Sequence, residues 1–201
     1  MASERNAIVR NGQNTNLLTF STPMTTLPDQ LKQILPSGSH NLAASWLNVP
    51  ELGLKLYRRK SHRLGAYVFS RQGGDQILLN LRQHPYSLLI TLAHEVAHMR
   101  VTRRYGRKVR PHGAEWQQTF SGLIKEAACI TDLPADILQA MSLIAQRPRS
   151  THFSDPAITA ILMPYDSPGD DHALLDDLPE GSRFTLHNNK IYVKGAKNRT
   201  R

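Results

Sequence analysis

One cysteine, Cys129, stands alone in 201 residues. It cannot close an internal disulfide, and by itself it cannot supply a cysteine-based zinc site. A secreted protein framed by disulfides is therefore excluded, and a reducing, cytoplasmic-type compartment is the expectation. Long apolar runs are missing too, since none approaches the roughly 18 residues that a membrane-spanning helix requires. Residues 1–16 are polar and rich in Asn, without the apolar stretch of a secretory signal. There is no internal repeat and no low-complexity tract. What is present, 40% hydrophobic and 20% charged residues, is a globular composition. The length suits one ordinary domain with appendages, or two small ones.

Two stretches lack charge of one sign. Residues 151–182 contain seven acids and no Lys or Arg, whereas residues 183–201 contain six Lys/Arg and no acid. Residues 1–150 hold 19 Lys/Arg against 9 Asp/Glu, and the chain as a whole carries a net charge of +9. A basic excess laid out in blocks points to a polyanionic partner.

Hydrophobic periodicity orders the rest. Residues 1–22 show no clear period and read as a flexible arm with one short strand at 16–20. Leu27, Leu31, Ile34 and Leu35 share one face of a helix that opens at Pro28-Asp29 and stops at Pro36, and a second short helix follows at 41–47. The period then changes to two. Runs at 52–58, 63–70 and 75–81 read as three strands with short connections, a small and largely antiparallel sheet unless one connection changes the strand order. Pro85 suits the first turn of a long helix over 86–105, which Gly106 ends. Trp116, Phe120, Leu123, Ile124 and Ala127 form the apolar stripe of a helix at 114–128, with core packing as the expected role of Trp116. Asp132 is placed to cap a further helix at 134–145. Cys129 reads as a small core residue. The four prolines and seven acids of 151–182 suit a linker that packs a short piece at 158–163. Residues 184–187 and 190–194 read as a hairpin turning at Asn188-Asn189.

The chemistry concentrates in His94-Glu95-Val96-Ala97-His98, an H-E-x-x-H string in the middle of the long helix. Residues four apart lie one turn apart on the same face, so both imidazoles reach one ion, and Glu95 reaches a water bound beside them. Two imidazoles and a carboxylate in an otherwise apolar helix need such a reason. A catalytic zinc takes a third protein ligand and keeps one position open. Val101 and Arg104 stand where the metzincin pattern needs Gly and His, so that class is excluded. The third ligand is left between Glu115, Glu126 and His112, the last being 14 residues past His98 with Gly113 freeing the backbone beside it. Tyr67, Tyr86 and Tyr105 are candidates to stabilise an oxyanion. Arg103, Arg104, Arg107, Lys108 and Arg110 lie between His98 and His112 and are candidate contacts to DNA phosphates, with Arg58-Arg59-Lys60 and the basic tail as extensions.

His94-Glu95-Val96-Ala97-His98 followed by Pro111-His112-Gly113-Ala114-Glu115-Trp116 resembles the SprT-like zinc metalloprotease family, the family of Spartan-like protease domains. Leu64-Gly65-Ala66-Tyr67 and Ile77-Leu78-Leu79-Asn80 are similar to that family's strands ahead of the active helix, and the resemblance spans residues 25–145. It implies that His94, His98 and His112 hold one Zn2+ and that Glu95 is the catalytic base. The four-cysteine zinc ribbon found after this domain in many members has no counterpart here. The expectation is thus an α+β, zincin-like fold with a three-stranded sheet packed on helices. Residues 1–22 would be an arm, 23–150 a SprT-like metalloprotease domain, 151–182 an acidic linker and 183–201 a basic hairpin or tail. The expected function is zinc-dependent hydrolysis of peptide bonds in proteins, with DNA-associated or DNA-crosslinked proteins as the substrate class and no membrane partner. The alternatives are a nucleic-acid-binding module with a structural zinc, and a zinc hydrolase for a non-protein substrate.

Overall fold

The computed structural model describes residues 8–11, 15–19, 26–59, 63–70, 74–151, 155–166, 175, 178–185 and 190–196. The chain forms two compact units, 1–166 and 167–201. The first is a mixture of helix and sheet. Its strands are β1 (Ile8–Asn11), β2 (Thr15–Thr19), β3 (Leu52–Tyr57), β4 (Gly65–Val68) and β5 (Asp75–Asn80), in the spatial order β1-β2-β3-β5-β4.

The three strands expected from the period are present, but the sheet has five. The one strand read at 16–20 in the N-terminal arm is present as β2; it pairs with a second, unexpected strand at 8–11 and runs antiparallel along β3 from Thr15↔Tyr57 to Thr19↔Gly53. The open ladder edge of β3 supplies what the local pattern of the arm lacks. The sheet is also mixed. β5 inserts between β3 and β4, parallel to β3 and antiparallel to β4. Burial explains that order: Ile77 and Leu79 of β5 are fully buried, as a central strand requires, whereas Val68 and Phe69 at the end of β4 are 44% and 41% exposed and suit an edge.

The helices are α1 (Asp29–Lys32), α2 (His40–Leu47), α3 (Pro85–Tyr105), α4 (Ala114–Ala128), α5 (Ala135–Gln146) and α6 (Pro156–Asp166). Pro85 starts α3, where a missing N–H costs nothing. Gly106 stops it at φ 69°, a conformation that side chains resist. Between these ends α3 is buried on most sides, from Ser87 to Val101, against β4, β5 and α4. The other helices brace it. Trp46 of α2 donates its indole N–H to Glu126 of α4 at 2.8 Å, Ser121 of α4 donates to the Ala145 carbonyl at 2.7 Å, and the Tyr165 hydroxyl of α6 donates to the Asp136 carboxylate of α5. Ile158 and Leu162 carry α6 into the same core, inside the stretch read as linker.

Two local expectations are corrected. Asp132 does not cap α5; it turns the chain in the left-handed region at φ 68°, and the helix begins at Ala135 without a side-chain cap. Cys129 is exposed rather than in the core, because it lies two residues past Ala127 and has rotated off the buried stripe of α4.

In the second unit, β6 (Arg183–Thr185) and β7 (Ile191–Val193) form an antiparallel pair with Phe184 stacked on Tyr192 at 5.7 Å. The ammonium of Lys194 donates to the Leu178 carbonyl, and the Gly181 N–H to the Lys194 carbonyl at 2.8 Å. The turn expected at Asn188-Asn189 lies outside the described residues, as does Lys60.

Leu162 separates a packed helix from a linker. Leu162→Ala is expected to lower the stability of the chain by about 2–4 kcal/mol, read as a shifted urea midpoint. A midpoint that does not move would mean that α6 is not part of the core.

Candidate metal centre

His94 and His98 project from one face of α3, one turn apart. His112 arrives from the opposite direction at the mouth of α4. The chain reaches it through a tight turn, Arg110-Pro111-His112-Gly113, closed by the Gly113 N–H on the Arg110 carbonyl at 2.9 Å. Pro at the second position and a left-handed third residue are the pattern of a type II turn. That third residue is His112 itself, at φ 59°. Strain of order 1–3 kcal/mol is held there by the surrounding structure. Gly113 serves differently from expectation. Its own φ is −71°, and what it lacks is a side chain: a Cβ would stand 3.0 Å from the Arg110 carbonyl oxygen that closes the turn.

The three Nε2 atoms converge. They lie 3.1 Å (His94–His98), 3.0 Å (His98–His112) and 3.2 Å (His94–His112) apart. Hydrogen bonds alone do not account for the triangle. A ring nitrogen either donates or accepts, so three in mutual contact leave at least one pair of like atoms facing each other. A cation answers all three lone pairs at once. Tetrahedral coordination with metal–nitrogen bonds of about 2.0–2.1 Å sets neighbouring nitrogens about 3.3 Å apart, close to the observed spacing. Among the described residues this is the one group of three or more His, Cys, Asp or Glu able to hold a metal ion.

Trp116 is the member whose part in the site was missed. It is buried at 1% exposure in the core, as expected. Its indole also packs against all three imidazoles, with centroids 4.7, 5.3 and 4.6 Å from His94, His98 and His112, and it stacks on Phe120 at 4.7 Å. Its spacing, four residues past His112 and in the first turn of the helix that follows, was the available signal. The other candidates for third ligand are not brought to the cluster. Glu126 is held by Trp46, and Glu115 is not part of the cluster.

Burial sets the protonation of the group. It pushes the His98 pKa down to about 4, helped by His112, and lowers that of His112 as well, so both are neutral and ready to ligate near pH 7. Glu95, 6% exposed, is pushed up to about 7 by burial, against the opposing pull of the Tyr67 N–H and Arg63. A carboxyl poised there takes up and gives back a proton at neutral pH.

A cavity of about 270 Å³ opens beside His98 and His112, walled by Tyr67, Phe69, Val101, Val109 and Trp116 and rimmed by Arg107 and Arg110. Of the three tyrosines only Tyr67 lines it. Tyr86 packs with His84 and Tyr165, and Tyr105 is exposed beneath the Arg104 guanidinium. The five basic residues are all exposed, but they are not equivalent. Arg103 is engaged, its Nε 2.8 Å from the buried Asp75 carboxylate and its terminal nitrogen 3.0 Å from the Pro50 carbonyl.

No protein-family model and no solved structure matches the chain. Among curated proteins it is similar to Protein SprT of Pseudomonas fluorescens (strain SBW25), with 32% identity over 74 residues. The match takes in 37% of this chain and 44% of that protein, so the chain spans less than half the length of the curated relative it matches. A partial likeness to SprT and a three-histidine cluster are together compatible with a metallopeptidase.

His112→Ala removes one of three converging nitrogens. Metal content measured by elemental analysis is expected to fall from one divalent ion per chain to a small fraction of that, while Glu115→Ala and Glu126→Ala leave it unchanged. Full retention in His112→Ala would move the third ligand elsewhere.

Proposed function

We propose that the chain is a SprT-like zinc metallopeptidase of zincin-like fold that hydrolyses peptide bonds in proteins. The observation that carries this reading is the convergence of three imidazole nitrogens next to a buried carboxyl whose pKa lies near 7. The metal is taken as Zn2+, one per chain, because neutral imidazoles suit it and three protein ligands leave a fourth position for substrate or water. When bound, zinc supplies a water of lowered pKa and polarises the scissile carbonyl. Glu95 takes a proton from the attacking water and passes it to the leaving amine, a transfer that its raised pKa balances. Of the three tyrosines only Tyr67 lines the cavity, but its hydroxyl is buried against Asp75, so none of the three is assigned to the developing oxyanion. Phe69, Val101 and Val109 offer apolar walls to a substrate side chain. The outer edge of β4, where the Tyr67 N–H meets Glu95, runs beside these groups and offers backbone partners to an extended peptide.

Three ligands weigh against a module with a purely structural zinc, which is normally enclosed by four. A zinc hydrolase for a non-protein substrate would share the same water activation, and an open cavity beside the outer edge of β4, which has no partner strand among the described residues, favours a peptide over it. No helix among the described residues is long and apolar enough to cross a membrane. A free, exposed Cys129 suits a reducing, cytoplasmic compartment.

Glu95→Gln preserves shape and removes the base. It is expected to keep metal content and thermal midpoint while lowering casein hydrolysis by at least about a thousandfold. Undiminished turnover would sink the assignment of Glu95.

The proposal extends to DNA as the partner that presents the protein substrate. Arg104, Arg107, Lys108 and Arg110 are exposed, and two of them rim the cavity, so a phosphate backbone bound there would hold an attached protein at the site. Binding should be independent of sequence and fall steeply with salt, with a log–log slope of about −0.7 to −0.9 per phosphate contact. Changing Arg104, Arg107 and Arg110 together to Ala should flatten that slope and leave metal content intact. Arg103 is kept, because its loss would strand Asp75. Wild-type protein with no salt-sensitive DNA binding would leave a general peptidase and remove the DNA role.

A further inference from the structure

Strand β4 meets Glu95 twice, once through a side chain that is missing and once through a backbone N–H. At Gly65 a Cβ would stand 2.7 Å from Thr91 Cγ2, 2.9 Å from Glu95 Oε1 and 3.0 Å from Glu95 Cγ. Distances that short are not tolerated between real atoms, and both neighbours sit on a buried helix with little room to retreat. Gly65 does not need to be glycine for its backbone; it is an ordinary strand residue paired with Leu79. The space is what requires it. Two residues on, Tyr67 donates its backbone N–H to the Glu95 carboxylate. The register of β4 on β5, with the Asn80 N–H on the Leu64 carbonyl, turns the Tyr67 N–H away from β5 and toward Glu95.

We infer that Gly65 is a positioning residue for Glu95: the absent side chain lets β4 approach α3 closely enough for the Tyr67 amide to hold the carboxyl beside His94. The inference rests on the peptidase reading for its catalytic consequence, but not for its geometry. Adding a methyl group at residue 65 forces either the carboxyl or the strand to move by a large fraction of an ångström. Both motions pull the Tyr67 amide and the Glu95 carboxylate apart. Misplacement on that scale lowers catalytic rates by about 10- to 100-fold, and it is read in kcat, because Glu95 serves the chemical step and does not line the cavity.

The closest collision is with Thr91, whose hydroxyl also donates to Gln83 Oε1 at 2.7 Å. Thr91→Ser removes the colliding methyl and keeps that hydroxyl, so it separates packing from positioning. It also supplies a foldable background should Gly65→Ala alone fail to fold. The experiment compares wild type, Gly65→Ala, Thr91→Ser and the double variant, all loaded with zinc. The readouts are metal content, thermal midpoint, hydrogen exchange of the Tyr67 amide, and kcat and KM on an unfolded protein. Expected are full metal content throughout, a lowered midpoint in Gly65→Ala that Thr91→Ser partly restores, and Tyr67 exchange accelerated at least about tenfold in both variants that carry the Gly65→Ala change. In both of those, kcat should stay depressed. Tyr67 protection and kcat at wild-type levels in Gly65→Ala would overturn the inference, as would full recovery of kcat on adding Thr91→Ser, since the effect would then run through Thr91. A wild-type protein that protects Tyr67 but cleaves nothing would sink the peptidase reading and leave the positioning role standing.

Discussion

A 21-residue helix gripped on both sides is the constraint on which the site depends. On one side α3 lies against β4 and β5, and on the other against α4. An ordinary amphipathic helix keeps a solvated face and can roll or slide by fractions of an ångström. A helix buried from Ser87 to Val101 has no such freedom, because interiors are packed to crystal density. The two histidines on α3 therefore hold a fixed direction, and α4 brings the third. Trp116 makes the union rigid by filling the space behind all three imidazoles with one indole.

The same burial that fixes position also sets charge. Imidazoles taken partly out of water lose their protons readily, while a carboxyl taken out of water keeps its proton longer. His98 and Glu95 thus shift in opposite directions for one cause. The left-handed backbone at His112 belongs to this arrangement as well. The chain accepts a locally unfavourable conformation there because the turn, closed by Gly113 on Arg110, aims the ring at the other two.

Outside this centre the molecule is divided in its charge. The end of α3 and the loop after it are basic and border the cavity, yet the first arginine of that run, Arg103 in the last turn of α3, is engaged by the fold. Asp75, 5% exposed at the start of β5, requires a partner, and Arg103 provides it. A run of like charges in a sequence thus contains members with different duties, which only their neighbours distinguish.

Elements that carry their own signal were legible from the residues: α3, apolar on most sides between Pro85 and Gly106, the helices α4 and α5, whose apolar residues repeat every three to four positions, and the strands β3, β4 and β5. The i, i+4 spacing of His94 and His98 likewise needs nothing beyond helix geometry. The pairing of β1 with β2 and of β2 with β3, and the insertion of β5 between β3 and β4, were not legible, because each depends on an open edge made by distant residues, whereas the packed piece at 158–163 was read and only its length as a helix was not. The exposure of Cys129 depends on where α4 stops. Sequence alone determined which side chains could ligate a metal and left three candidates for the last of them. Tertiary structure brought His112 to His94 and His98 and set Glu126 on Trp46, and it gave Trp116 its contacts with the three imidazoles and Gly65 its tight place against Glu95. Local spacing specifies which groups lie on one face of one helix, and only packing between elements specifies what meets that face.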